Sequence, residues 1–198
     1  MTQRRDWSES ATLLACALIF VFLPDRYAVG PTIVGVISLG LLIVCFVASL
    51  IVTIAGMHRP IRIVLLTSAV VIACIVVVSL WKVIDLALYH ASLIDGARLI
   101  QTAVLIWVGN VVVFAIFFSL VGERELLFPQ APDREPVRPK VFLDYVFLSF
   151  TTATAFSPTD TAPLSTRARM LIMIEAAVSL LTIAVAAARA INILPQGS

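Results

Sequence analysis

The sequence Ser149-Phe150-Thr151-Thr152-Ala153-Thr154-Ala155-Phe156-Ser157-Pro158-Thr159-Asp160 decides how this chain is organised. It lies between two apolar runs of unequal length. The run before it, residues 141–150, is too short to cross a bilayer, whereas the run after it, residues 171–194, is long enough. A short helix, a polar turn and a spanning helix in this order predict a re-entrant loop. Irregular backbone at membrane depth is tolerated only where protein or a water-filled cavity surrounds it.

The composition predicts an all-α integral membrane protein. Hydrophobic residues make up 61% of the 198 residues and charged residues 13%, and the mean hydropathy is +1.05. Average soluble domains carry about 25% charged residues. The net charge of +2 is small, and the charged residues are dispersed among short loops. We therefore expect membrane lipid and no nucleic acid among the partners.

Five transmembrane helices are predicted from apolar runs of about 20 residues. They cover residues 7–23, 31–56, 61–80, 99–120 and 170–194. We expect the third to end at an interfacial belt around Trp81 and Lys82. The helices divide the chain into an N-terminal four-helix region at 1–120, a polar proline-rich loop at 121–140, and a module of short helix, loop and last helix at 141–194.

The quoted stretch resembles the selectivity-filter signature of potassium channels, S-F-T-T-x-T-T-V-G-Y-G-D. Ser149 to Thr152, Thr154 and Asp160 match the signature letter for letter. Further echoes of that family's inner helix follow at Pro163, Ala168-Arg169, Glu175-Ala176, Ala184-Val185 and Ala188-Arg189. The chain also resembles an uncharacterised family of bacterial multi-pass inner-membrane proteins, which carries a similar F-P, D-Y, F-S-F-T, S-D-T series before its last helix.

The channel resemblance implies a pore helix, a filter-like loop and an inner helix, repeated in a homo-tetramer in the inner membrane, with K⁺ or Na⁺ as the only bound ion. The filter-like loop consists of Thr154, Ala155, Phe156, Ser157, Pro158, Thr159 and Asp160. Ser157 and Thr159 replace the two glycines of the signature, which reach backbone angles that other residues resist. Pro158 fixes its own φ. We therefore expect a non-standard filter instead of a stack of backbone carbonyls.

Hydroxyl and carboxylate groups are the candidate cation ligands of this loop. Thr151 and Thr152 lie at the end of the short helix, whose C-terminal dipole would favour a cation in front of it. Helix capping and turn formation are the alternative roles of these hydroxyls. Asp160, repeated fourfold, would make a ring of carboxylates that attracts cations. Its alternative role is that of a solvated turn residue.

The last helix carries a polar stripe. Glu175, Ser179, Thr182 and Arg189 share one helical face. Such a stripe packs against other helices or lines a cavity. In a channel we expect it to face the central axis or the pore helix of a neighbouring subunit. Glu175 could cap backbone groups behind the filter, and Arg189 could extend to the interface at the helix end.

The distribution of positive charge conflicts with the orientation that the resemblance implies. With five spans and a re-entrant loop, ten basic residues share one side: Arg4, Arg5, Arg59, Arg62, Arg124, Arg134, Arg138, Lys140, Arg167 and Arg169. The positive-inside rule places that side, and the loop with it, in the cytoplasm. Potassium channels admit the loop from outside. The sequence leaves the orientation open.

These observations favour cation conduction through an oligomeric pore of weak selectivity. The alternative is a non-conducting structural or interaction protein that keeps the pore-loop fold. We do not expect an enzyme, because there is no H-E-x-x-H motif and no serine–histidine arrangement. Cofactors and metal sites are not expected either, since His58 and His90 lie apart and the three cysteines are dispersed through apolar runs. No internal repeat supports a transporter.

Overall fold

The structure, a computed structural model, describes residues 44, 47, 51, 58–89, 96–122, 124–129, 141–155 and 161–193. Within these residues the chain forms helices and two very short strands. In chain order the elements are α1 (His58–Tyr89), α2 (Gly96–Val121), β1 (Leu126–Leu127), α3 (Phe142–Ala153), β2 (Ala162–Pro163) and α4 (Thr166–Ile193).

Three of these helices are long and apolar enough to cross a membrane. The spans run over Arg62–Tyr89, Ala97–Val121 and Thr166–Ile191. At 1.5 Å per residue the shortest of them reaches about 38 Å, compared with about 30 Å of hydrocarbon. The chain is therefore a multi-pass helical membrane protein. The predicted span 7–23 lies outside the described residues, and span 31–56 is described only at Val44, Val47 and Ile51, which are helical. The count of five spans stays a prediction.

The third predicted span is longer than the sequence indicated. α1 continues past residue 80, through Lys82 and Asp85, and ends at Tyr89. Residues 81–89 contain neither glycine nor proline, and their leucines and alanine are good helix formers. Lys82 and Asp85 lie one turn apart and half-buried, a spacing that a helix accommodates. Charged residues alone did not mark the end of this helix.

α2 is the central helix of the described bundle. It packs against α1, α3 and α4. More than half of the apolar segment of α2 is buried inside the protein, whereas most of the corresponding segment of α4 is exposed. Its buried side chains include Leu99, Ile106 and Phe118, which belong to the main apolar core. Most of the α4 surface is thus left exposed by the described elements.

The end of α2 and the start of α1 lie together. The Arg62 guanidinium donates a hydrogen bond to the backbone oxygen of Leu120, 2.7 Å away. A cation at a helix C-terminus satisfies its free carbonyls and interacts favourably with the helix dipole. α2 then stops at Gly122, whose φ of 76° lies in the left-handed region that favours glycine. α1 and α2 are therefore antiparallel.

A two-stranded ribbon ties the end of α2 to the start of α4. β1 and β2 pair antiparallel, with Leu126 opposite Pro163. The Ser165 hydroxyl donates to Glu125 Oε2 at 2.5 Å and accepts from the Ala168 N–H at 3.1 Å, as a helix-capping serine does. α4 thus begins at the end of the bundle where α2 finishes. Arg62, Arg124 and Arg167 lie at this end.

Candidate functional site

α3 is too short to cross the hydrocarbon layer of a bilayer. Its 12 residues, Phe142–Ala153, extend about 18 Å, against about 30 Å of hydrocarbon. The helix starts where the Asp144 carboxylate accepts a hydrogen bond from the Val141 N–H, 2.8 Å away. An acidic side chain in the first turn also interacts favourably with the helix dipole.

Three contacts show where α3 lies along α2. Near its start, the Tyr145 ring packs edge-on against Phe128, with centroids 5.4 Å apart. In its middle, the Ser149 hydroxyl lies 2.7 Å from the backbone oxygen of Val111. At its end, the Trp107 indole N–H donates to the backbone oxygen of Ala153 at 3.4 Å. α3 therefore runs antiparallel to α2 and stops beside the middle of α2.

The chain then returns to the end of the bundle from which α3 started. Thr161 is buried, and Ala162 pairs with Leu127 of β1, which follows α2. A chain of six residues can span at most about 20 Å, which is enough to return over the length of α3. The described residues thus have the layout of a re-entrant segment. That α3 is a pore helix stays a prediction.

The threonine hydroxyls at the end of α3 donate to the helix itself. Thr151 Oγ1 lies 2.9 Å from the Phe147 and Leu148 backbone oxygens, and Thr152 Oγ1 lies 2.8 Å from that of Leu148. Thr154 Oγ1 donates to the Phe150 oxygen at 2.8 Å. A hydroxyl that donates in this way keeps its oxygen lone pairs for a cation or water. The protons are engaged locally and the oxygens retain acceptor capacity.

Ala155 has an unusual backbone conformation. Its φ of 58° lies in the left-handed region, which costs a residue with a Cβ atom about 1–2 kcal/mol. Its N–H donates to the Thr152 oxygen at 3.2 Å and so closes the last turn of α3. Glycine usually occupies this position after a helix. The filter-like loop therefore begins at a strained residue.

The remainder of the filter-like loop is not described. Phe156, Ser157, Pro158, Thr159 and Asp160 lie outside the described residues. The expected cation ligands on this segment, with Asp160 foremost, stay predictions. Of the loop, the structure places Thr154, which is half-buried, and Ala155, which is exposed.

The polar stripe of α4 faces the interior of its own chain. Glu175, Ser179 and Thr182 are 0%, 0% and 1% exposed. The Asn110 side-chain amide of α2 donates to Ser179 Oγ at 2.8 Å and reaches the Glu175 backbone oxygen at 3.5 Å. Glu175 Oε1 is hydrogen-bonded to the Ser149 hydroxyl of α3. The stripe therefore contacts α2 and the short helix of the same chain, where we expected a pore axis or a neighbouring subunit. Buried polar groups need partners, and Asn110 supplies one.

Sequence reasoning missed two residues of α2 that position α3 and α4. Trp107 binds the end of α3, and Asn110 binds the middle of α4. A signal for Asn110 was present, because an amide inside an apolar spanning helix is costly unless another helix satisfies it. Arg189 is half-buried near the end of α4, and its expected interfacial role stays a prediction.

This chain matches none of the protein-family models, curated proteins or solved structures with which it was compared. Among the residues that the structure describes, no group of three or more histidine, cysteine or acidic side chains could hold a metal ion. The candidate site consists of the end of α3, the loop that follows it and the inward polar face of α4.

The re-entrant layout predicts which positions share a membrane face. We expect single cysteines introduced as Val141→Cys and Leu164→Cys to react with an impermeant maleimide from the same face. Arg98→Cys, at the opposite end of α2, should react from the other face. All three wild-type side chains are exposed, and the three native cysteines would first be replaced.

Labelling would be compared in right-side-out and inverted vesicles. Reaction of Val141→Cys and Leu164→Cys from opposite faces would show that α3 crosses the membrane, and would contradict the layout. The face that labels also decides between the charge rule and the channel resemblance for the orientation of the loop.

The strain at Ala155 predicts that Ala155→Gly stabilises the protein by about 1 kcal/mol, because glycine adopts a positive φ without a Cβ penalty. Ala153→Gly is the matched control two residues earlier, inside α3. It should destabilise by at least about 0.5–1 kcal/mol. Unfolding in mixed micelles of increasing denaturing-detergent content measures both. An equal loss of stability in the two variants would contradict the strain.

Proposed function

We propose that this chain conducts cations through a homo-oligomeric pore in the inner membrane, with α3, the filter-like loop and α4 as the pore module. One observation carries the proposal: α3 ends beside Trp107, in the middle of the spanning helix α2, and Ala162 lies again at the end of the bundle where α3 begins. Non-helical backbone at that depth needs surrounding protein or water. A pore at the subunit junction supplies both.

The exposed surface of a single chain supports an oligomer. Leu143, Phe147 and Phe150 share a face of α3 and are 70%, 55% and 45% exposed. Most of the apolar segment of α4 is likewise exposed by the described elements. One loop cannot enclose a pore, so several copies must contribute. Four is the number that the channel resemblance implies.

The chemistry available to a cation is that of hydroxyl and carboxylate oxygens. Thr151 and Thr154, which are half-buried, keep oxygen lone pairs at the C-terminal end of α3, where the helix dipole favours a cation. Thr152 is buried within the chain, so its oxygen is not open to an ion there. Asp160 would add a ring of carboxylates. The proposed ions are K⁺ and Na⁺, poorly distinguished because both signature glycines are replaced. They are the transported substrate, and the proposal includes no cofactor.

A specific observation favours the second candidate, a structural or interaction protein that does not conduct. Glu175, Ser179 and Thr182 are buried within one chain, so they line no open path there. The threonine protons of α3 are engaged within that helix. In this second candidate the re-entrant segment serves packing alone.

Flux into liposomes tests conduction. We expect the purified protein to admit K⁺ and Na⁺ but not a large organic cation. Asp160→Asn should lower the flux about tenfold or more at low salt, because rings of like charge raise the local concentration of counter-ions. Asp133→Asn in the polar loop removes the same charge outside the module, and should leave flux unchanged. Absence of flux from an intact oligomer would favour the structural candidate.

The oligomeric state provides an independent test. We expect light scattering in mild detergent to give the mass of several chains, because the end of α3 needs neighbours to surround it. Four chains is the number that the channel resemblance implies. A stable monomer would contradict conduction. Phe147→Ala and Phe150→Ala, on the exposed face of α3, should weaken the oligomer more than Met173→Ala on α4, if α3 lies at the subunit junction.

A further inference from the structure

A cluster of buried polar groups joins α2, α3 and α4. It consists of Asn110, Ser149, Glu175 and Ser179, which we call the buried carboxyl centre. All four side chains are 2% exposed or less. The centre also includes the backbone oxygen of Val111, which Ser149 Oγ approaches at 2.7 Å. Among the residues whose side-chain burial the structure describes, Glu175 is the only acidic or basic one that is buried.

Ser149 has two close oxygen neighbours, and two protons are needed for both contacts to be hydrogen bonds. The serine hydroxyl carries one proton. Its oxygen lies within hydrogen-bonding distance of two acceptors, Val111 O and Glu175 Oε1. If Glu175 were ionised, Ser149 could donate to only one of them, and the other contact would oppose two oxygen lone pairs. A neutral Glu175 donates to Ser149 Oγ, which leaves the serine proton for Val111. Both contacts are then hydrogen bonds.

The rest of the centre offers no compensation for a negative charge. The Asn110 amide donates to Ser179 Oγ and to the backbone oxygen of Glu175, and neither bond reaches the carboxyl group. Glu175 Oε2 has no hydrogen-bond partner among the described residues. An unpaired buried carboxylate is costly, whereas a neutral acid with one free acceptor costs much less.

Other titratable groups on the packed helices lie elsewhere. On α3, Asp144 bonds the Val141 N–H at the helix start, and Tyr145 packs against Phe128. On α1, Arg62 bonds the end of α2. The other charged groups of these helices whose side chains the structure describes are half-buried or exposed: Lys82, Asp85, Arg98, Arg167, Arg169 and Arg189. A basic partner for Glu175 is therefore absent from the buried part of the described structure.

We propose that Glu175 is a proton-binding site, and that its bound proton makes the hydrogen bond that fastens α3 to α4. The carboxyl proton is donated to Ser149 Oγ, and the serine proton to Val111 O. When the proton leaves to water, an uncompensated carboxylate remains and Ser149 keeps a hydrogen bond to only one of its two partners, so α3 is held less firmly between α2 and α4. The site holds α3 in place whether or not the assembled protein conducts ions.

Infrared spectroscopy of the purified full chain tests the proposal. At neutral pH we expect the C=O band of a protonated carboxylic acid, which disappears in Glu175→Gln and persists in Glu125→Gln, a half-buried control. Raising the pH should abolish the band in the wild type. A wild-type spectrum with only carboxylate bands at neutral pH would overturn the proposal, and this measurement does not require any variant to fold.

The stability of the protein supplies a second measurement. The native state binds one proton more than the unfolded state, so stability falls as pH rises. We expect the wild-type unfolding temperature to decrease on raising the pH above neutral. Glu175→Gln keeps a neutral donor and should flatten this dependence, while Glu125→Gln should retain it. A Glu175→Gln curve parallel to that of the wild type would overturn the proposal.

Discussion

A helix that ends beside the middle of a membrane-spanning helix must satisfy the carbonyl groups at its end, and the contacts around the end of α3 meet this requirement. The Thr154 N–H and hydroxyl bond the Phe150 oxygen, the Ala155 N–H bonds the Thr152 oxygen, and the Trp107 indole bonds the Ala153 oxygen. The positive φ of Ala155 is a consequence, since a left-handed residue is the usual way to fold the chain back over the last turn. Strain at one residue is thus exchanged for paired carbonyls at the end of α3.

α2 carries the contacts that position the other described elements. Within little more than one turn of α2, the Trp107 side chain and the Val111 backbone oxygen contact α3, and the Asn110 side chain contacts α4. Hydrophobic packing between spanning helices has little directional preference, because lipid is as apolar as the side chains. Polar contacts of defined geometry fix the axial register of α3 and α4 against α2. The β1–β2 ribbon and the Glu125–Ser165 hydrogen bond fix the same register at one end of the bundle.

The α4 stripe faces inward, so its residues serve helix packing and do not line a pore within the chain, as the sequence had suggested they could. Glu175, Ser179 and Thr182 serve the attachment of helices within one chain. Ion contact, if the pore conducts, therefore falls to the oxygens at the end of α3 and to the loop that follows. The proposed proton on Glu175 and the proposed conduction of cations are therefore distinct properties. One concerns how firmly α3 is held, and the other concerns what passes its end.

The sequence by itself determined the membrane class, the existence of the last three spans and the short helix before the last one. These follow from the length of each apolar run compared with the thickness of the bilayer, and run length is a local property of the sequence. It also indicated that Glu175, Ser179 and Thr182 share a face, since helical periodicity is local too. It misplaced the end of α1, where charged residues continue the helix to Tyr89. Only the tertiary structure decided which way the stripe faces and that Trp107 and Asn110 bind α3 and α4. The partner of a buried polar group is chosen by the packing of residues distant in sequence, as with Asn110 and Ser179, and no local pattern encodes that choice.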